Sequence, residues 1–104
     1  MDFKVSKIYL SAEPGNGNNI NPKDDNTDVI VFFENGKKYI ASFFAYDNIK
    51  VMQGQHQRDG KFHNGEYFWD KKMVLVKDCT INTIEPIIID LIDEGDFQEA
   101  FREL

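Results

Sequence analysis

Val29-Ile30-Val31-Phe32-Phe33-Glu34-Asn35-Gly36-Lys37-Lys38-Tyr39-Ile40-Ala41-Ser42-Phe43-Phe44 is the stretch that decides the fold. Two runs rich in β-branched and aromatic residues flank Asn35-Gly36, and a two-residue connection of that kind supplies the positive φ values of a type I′ hairpin turn. The first arm, Val29 to Phe33, is apolar at every position, as in a central strand covered on both faces. The second arm alternates Tyr39, Ala41 and Phe43 with Lys38, Ile40 and Ser42.

Upstream, Met1 to Leu10 places Phe3 and Val5, then Ile8 and Leu10, among Lys and Ser, which predicts a half-buried strand. The switch of face between Val5 and Ile8 predicts a bulge or a strand end. Residues 11–28 carry Pro14, Gly15, Gly17, Pro22 and many Asn and Asp around Ile20, and read as one long exposed loop. Downstream, Asp47 is placed to cap a short helix through about Gln55, with Ile49 and Met52 on one face. Asp59-Gly60 and Asn64-Gly65 are turn signals, Phe62 and Tyr67-Phe68-Trp69 read as strand residues, and Met73 to Val76 is a short apolar strand. From Thr80 the period becomes helical, with Ile81, Ile84, Ile88, Leu91 and Ile92 on one stripe. Pro86 is tolerated best in a first turn, so Thr83 is preferred to Thr80 as N-cap and the helix is predicted over Ile84–Glu94, stopped by Gly95. Asp96 and Glu99 resemble a capping box that starts a second helix through Phe97, Ala100, Phe101 and Leu104. The expected fold is α+β: one domain over residues 1–104, with a mostly antiparallel sheet of about four or five strands around a central Asn-Gly hairpin, packed by a C-terminal helix pair.

Charge divides unevenly along the chain. Residues 85–104 hold Glu85, Asp90, Asp93, Glu94, Asp96, Glu99 and Glu103 against Arg102, so the whole formal charge of −6 lies there and residues 1–84 are neutral. Such a balance disfavours direct nucleic-acid binding, which needs a basic patch to neutralise phosphates. It reads either as a solvated helix face or as an acidic surface that steers a basic partner. Asp90, Asp93 and Glu94 fall at the negative end of their helix dipole, a local conflict worth a few tenths of a kcal/mol each.

Motifs for chemistry are missing or incomplete. Asp24, Asn26 and Asp28 open like an EF-hand, but Val29 stands where its Gly belongs and Asn35 where its bidentate Glu belongs. Gly15-Asn16-Gly17 has no following Lys-Ser or Lys-Thr and no helix, so it is a turn and not a phosphate cradle. His56 and His63 lack a third converging zinc ligand. Ser6, Ser11 and Ser42 sit in no nucleophile elbow, and the lone Cys79 reads as a small buried apolar residue. No catalytic residue, metal site or cofactor is expected. One cysteine, no basic n-region with an apolar stretch in residues 1–20 and no run near ~18 apolar residues predict a soluble, cytoplasmic protein away from the membrane. Eleven Ile, nine Asn and ten Lys fit an AT-rich bacterial genome.

Aromatics carry the remaining signal. Neighbours along a strand point to opposite faces, so Phe32/Phe33, Phe43/Phe44 and Phe68/Trp69 cannot all enter one core from one side. Tyr46, Tyr67 and Trp69 are the candidates for exposed interface anchors. With Asp90, Asp93, Glu94 and Glu99 they form the candidate binding set for a small acidic interaction or inhibitor protein with a basic protein partner. In size and charge alone the chain resembles acidic immunity proteins that neutralise a toxin. Two alternatives stand beside this: a small-ligand site or enzyme pocket between sheet and helices lined by Tyr46, Tyr67 and Trp69, and a homodimer formed through an uncovered sheet face.

Overall fold

The computed structural model describes residues 4–11 and 21–104. Five strands and four helices follow one another as β1 (Val5–Leu10), β2 (Asn26–Phe33), β3 (Lys38–Ala45), α1 (Tyr46–Asp59), α2 (Lys61–Gly65), β4 (Met73–Val76), α3 (Ile81–Asp93), α4 (Phe97–Ala100) and β5 (Arg102–Glu103). The fold is α+β, with a mostly antiparallel five-stranded sheet ordered β1-β2-β3-β4. β4 runs parallel to its neighbour, and the α1–α2 crossover that joins β3 to β4 makes that possible. β5 is antiparallel to β3 at Tyr39 and Ile40, whereas β4 pairs with Ser42 to Ala45, so two strands share one edge of β3.

The hairpin forms where it was expected, with a different turn. Positive φ occurs in it only at Gly36, Gly36 N–H donates to the Phe33 carbonyl, and Phe33 N–H donates to the Lys37 carbonyl. That is a three-residue connection, a type I turn closed by a left-handed glycine, rather than the two-residue type I′ form. The bulge read from the face switch lies between Val5 and Lys7, where the β1–β2 register shifts. The loop read over 11–28 ends sooner, because β2 begins at Asn26 and the buried Thr27 bonds the Ser11 hydroxyl. Phe3 and Gly15-Asn16-Gly17 lie outside the described residues.

One sheet face carries the main core. Val29, Val31 and Phe33 of β2 and Tyr39, Ala41 and Phe43 of β3 meet Val76, Cys79, Ile84, Ile88, Phe97 and Phe101. α3 supplies the apolar stripe, and α4 with the residue after it supplies two rings, Phe97 and Phe101, stacked at 4.3 Å between centroids. Helix α3 is longer than Ile84–Glu94: its N-cap is Thr80, whose hydroxyl accepts Thr83 N–H, and Pro86 sits inside it. The carbonyl that Pro86 leaves without a helical donor belongs to Asn82, an exposed residue that water can serve. Gly95 ends the helix as expected, with Gly95 N–H on the Ile92 carbonyl and Asp96 N–H on that of Leu91, a Schellman pair. Asp96 precedes α4 without a side-chain cap bond, and the second helix stops at Ala100, because Phe101 turns extended and delivers β5 to the sheet.

The middle of the chain departs most from expectation. α1 runs 14 residues instead of ending near Gln55, and Ala45, not Asp47, occupies its N-cap with no side-chain bond. Phe62 and Tyr67–Trp69 are not strand residues. Gly60, Phe62, His63, Asn64 and Gly65 have positive φ, a left-handed turn that folds the chain back on α1. A second aromatic cluster explains it: Phe44, on the sheet face opposite the main core, packs edge-on against Phe68, and Phe68 packs on Phe62 and on the His56 ring.

Candidate functional site

The candidate binding residues divide by position. Tyr46, Tyr67 and Trp69 are exposed at 58%, 57% and 59% of their surface, and the Tyr67 ring also packs edge-on against Phe62 at 5.6 Å. Asp90, Asp93, Glu94 and Glu99 are exposed as well. Tyr46 begins α1 and forms one wall of an open groove of about 400 Å3, completed by Leu75, Val76 and Lys77 of the β4 region and by Asn82, Thr83, Pro86 and Ile87 of α3. On a helix, residues 83, 87, 90 and 94 lie on one stripe, with 86 and 93 beside it. The wall of the groove therefore leads along α3 into Asp90, Asp93 and Glu94. No basic residue stands in the last turn of α3 to balance them.

Tyr67 belongs to a second depression, of about 180 Å3, bounded by Ile49, Lys50, Gln53 and His56 of α1 and by Gly65, Glu66, Tyr67 and Phe68. It lies between α1 and the segment that follows the left-handed turn, not between sheet and helices. The local sequence builds it closely. Gln53 Nε2 donates to the Gly65 carbonyl at 3.3 Å, and a Cβ at Gly65 would stand 2.7 Å from the Gln53 carbonyl oxygen. His56 Nδ1 is buried in the aromatic cluster with no hydrogen-bond partner among the described residues. Tyr46 shares the α1 stripe of residues 49, 50 and 53, so it stands between the two depressions. Trp69 and Glu99 line neither, and the Glu99 backbone carbonyl instead accepts Lys72 Nζ at 3.1 Å.

Cys79 is 1% exposed, its thiol points at the Asp25 carbonyl at 3.3 Å, and burial pushes its pKa up to about 12. A thiol so placed supplies almost no thiolate nucleophile at neutral pH. Partial burial raises the Asp25 carboxyl, while hydrogen bonds from Thr80 and Thr83 lower that of Asp78. Among the described residues no group of three or more His, Cys, Asp or Glu side chains is arranged to hold a metal ion. His63 Nε2 lies 3.3 Å from Glu66, both on the surface. Among the described residues no helix is long and apolar enough to cross a membrane.

No known protein family matches the chain, and no curated protein or solved structure matches it either.

A third cavity, of about 230 Å3, was not legible in the sequence: Asp28, Ile40, Ala41, Ser42, Asp70, Lys71, Lys72 and Arg102 line it. Its residues come from four separate parts of the chain, and no spacing rule joins them.

Proposed function

We propose that this is a small interaction protein of the inhibitor type, which binds a basic protein partner along the groove between Tyr46 and α3. The observation that carries the reading is the continuity of the groove wall Thr83–Pro86–Ile87 with the carboxylates of Asp90, Asp93 and Glu94. A partner seated there meets exposed apolar surface first, from Tyr46 and Leu75, the latter 41% exposed. It then meets negative charge with no competing cation in the last turn of the helix. Apolar anchors supply affinity, and the acidic end supplies steering and on-rate. Lys and Arg side chains on the partner would also relieve the unfavourable interaction of those carboxylates with the helix dipole.

Size argues against a site for drug-sized molecules at Tyr67. Sites that enclose drug-sized molecules occupy roughly 300–1,000 Å3, and this depression offers about 180 Å3. One side chain of a partner fits it better, which makes Tyr67 a neighbouring anchor on the same surface.

The test begins with capture of partners on the tagged protein and elution by salt, followed by affinity measurement with the purified partner. Asp90→Lys/Asp93→Lys/Glu94→Lys is expected to weaken binding at least about tenfold and to flatten its salt dependence. Tyr46→Ala is expected to weaken binding at all salt concentrations. An affinity indifferent to both variants would remove this reading.

A further inference from the structure

The third cavity sits over the break in the outer edge of β3, where β4 starts opposite Ser42 and β5 starts opposite Ile40. Three basic residues line it, Lys71, Lys72 and Arg102, in a chain whose net charge is −6. Two carboxylates, Asp28 and Asp70, line the same space. No ion pair within 4 Å joins these five exposed residues among the described residues. The Asp28 carboxylate accepts the Ser42 hydroxyl at 3.1 Å, and that of Asp70 accepts Lys71 N–H at 2.8 Å. Arg102 and the Lys71 ammonium have no side-chain partner among the described residues.

The frame around these groups is fixed. Lys72 holds a left-handed φ of 48°, its carbonyl accepts Ser42 N–H at 2.9 Å, and its ammonium donates to the Glu99 carbonyl. The turn before β4 is thereby tied to β3 and to α4 at once. Exposed residues of both signs thus line one space with no ion pair within 4 Å between them among the described residues. Such an arrangement complements a ligand that carries both signs, because a plain anion would be repelled by Asp28 and Asp70, and a plain cation by the three basic groups.

We propose that this cavity binds a small zwitterion of the α-amino acid type, its carboxylate on Arg102 and Lys71 and its ammonium on Asp28 and Asp70. Arg102 is the natural carboxylate partner, since its planar donors match the two oxygens. The site is independent of the groove at Tyr46, so it stands or falls apart from the partner-binding reading.

The experiment is an amide-resolved NMR titration of the full chain with L-amino acids spanning acidic, basic, aliphatic and aromatic side chains. For each amino acid that binds, the N-acetyl derivative lacks the ammonium and the carboxamide lacks the carboxylate. The expected result is saturable shifts confined to residues 28, 40–42, 70–72 and 102. Both blocked derivatives, and both Arg102→Gln and Asp28→Asn, are expected to weaken binding at least about tenfold. The Asp28→Asn amide keeps an acceptor for the Ser42 hydroxyl while losing the charge, so that variant leaves the frame intact. Equal binding of an N-acetyl derivative would overturn the proposal in favour of a simple anion site. Absence of saturable shifts with every amino acid at millimolar concentration, or binding unchanged in both variants, would overturn it outright.

Discussion

Gly65 shows how much one residue decides in this chain. Its φ is +77°, and a Cβ would meet the Gln53 carbonyl at 2.7 Å, a backbone atom that cannot swing away. Gly65→Ala is expected to cost roughly 2 kcal/mol or more, since left-handed strain of about 1–3 kcal/mol adds to the clash. His63, exposed in the same left-handed turn at φ 54°, should behave oppositely. His63→Gly is expected to stabilise by about 1 kcal/mol, the relief of left-handed strain at a residue with a Cβ. Urea-unfolding midpoints at unchanged slope measure both. Cys79 makes a second residue-scale prediction: its buried, proton-bound thiol should resist thiol reagents in the native protein and react once urea unfolds it. Labelling at the same rate in both states would contradict the burial described for it. A buried Cys79 and turn glycines at 60 and 65 are legible in the sequence. Left-handed Phe62 and His63 are not, because a bulky side chain makes that conformation costly unless packing imposes it, whereas Asn64 is of a type that adopts it more readily.

At the scale of the element, α3 is the most legible and its start the least. The 3.6-residue stripe and the Gly95 stop are local properties, readable without neighbours. The start lies earlier than Pro86 suggests because the Asp78–Thr80–Thr83 network outweighs the bond that the proline removes. Asp78 accepts the Thr80 hydroxyl at 2.7 Å, and Thr80 accepts Thr83 N–H. Thr80→Ala is expected to cost about 1 kcal/mol, as loss of an N-cap does. The network also has a pH signature. Hydrogen bonds from Thr80 and Thr83 lower the Asp78 pKa below its unfolded value, so its contribution is present above the usual carboxylate range and lost as pH falls below it. Melting temperatures followed from neutral to acid pH should fall more steeply for the native sequence than for Asp78→Asn. At the other end, Asp93→Lys/Glu94→Lys reverses charges at the negative dipole end and is expected to raise stability by about 0.3–1 kcal/mol per site. Greater stability joined to weaker partner binding in one variant would mark these carboxylates as kept for recognition.

At the scale of the whole molecule, two apolar clusters lie on opposite faces of one sheet among the described residues. The larger unites β2, β3, α3 and α4, and the smaller unites Phe44, His56, Phe62 and Phe68. Opening free energies follow buried contacts, so amide exchange should be slowest at Val29–Phe33, Ala41–Phe43 and Ile84–Ile88, and faster throughout α1 and residues 61–70. Equal protection of both regions would show that the clusters unfold as one unit. The sequence by itself determined the class of the fold, the hairpin, the apolar stripe of α3 and the location of the net charge. Each of these depends on residues within a few positions of one another, where periodicity and turn chemistry act. Only the tertiary structure decided the length of α1, the left-handed return, the pairing of β5 with β3 and the meeting of Asp28, Ser42, Asp70–Lys72 and Arg102. These depend on which distant surfaces pack together, a choice made by burial across the whole chain, which no local spacing records.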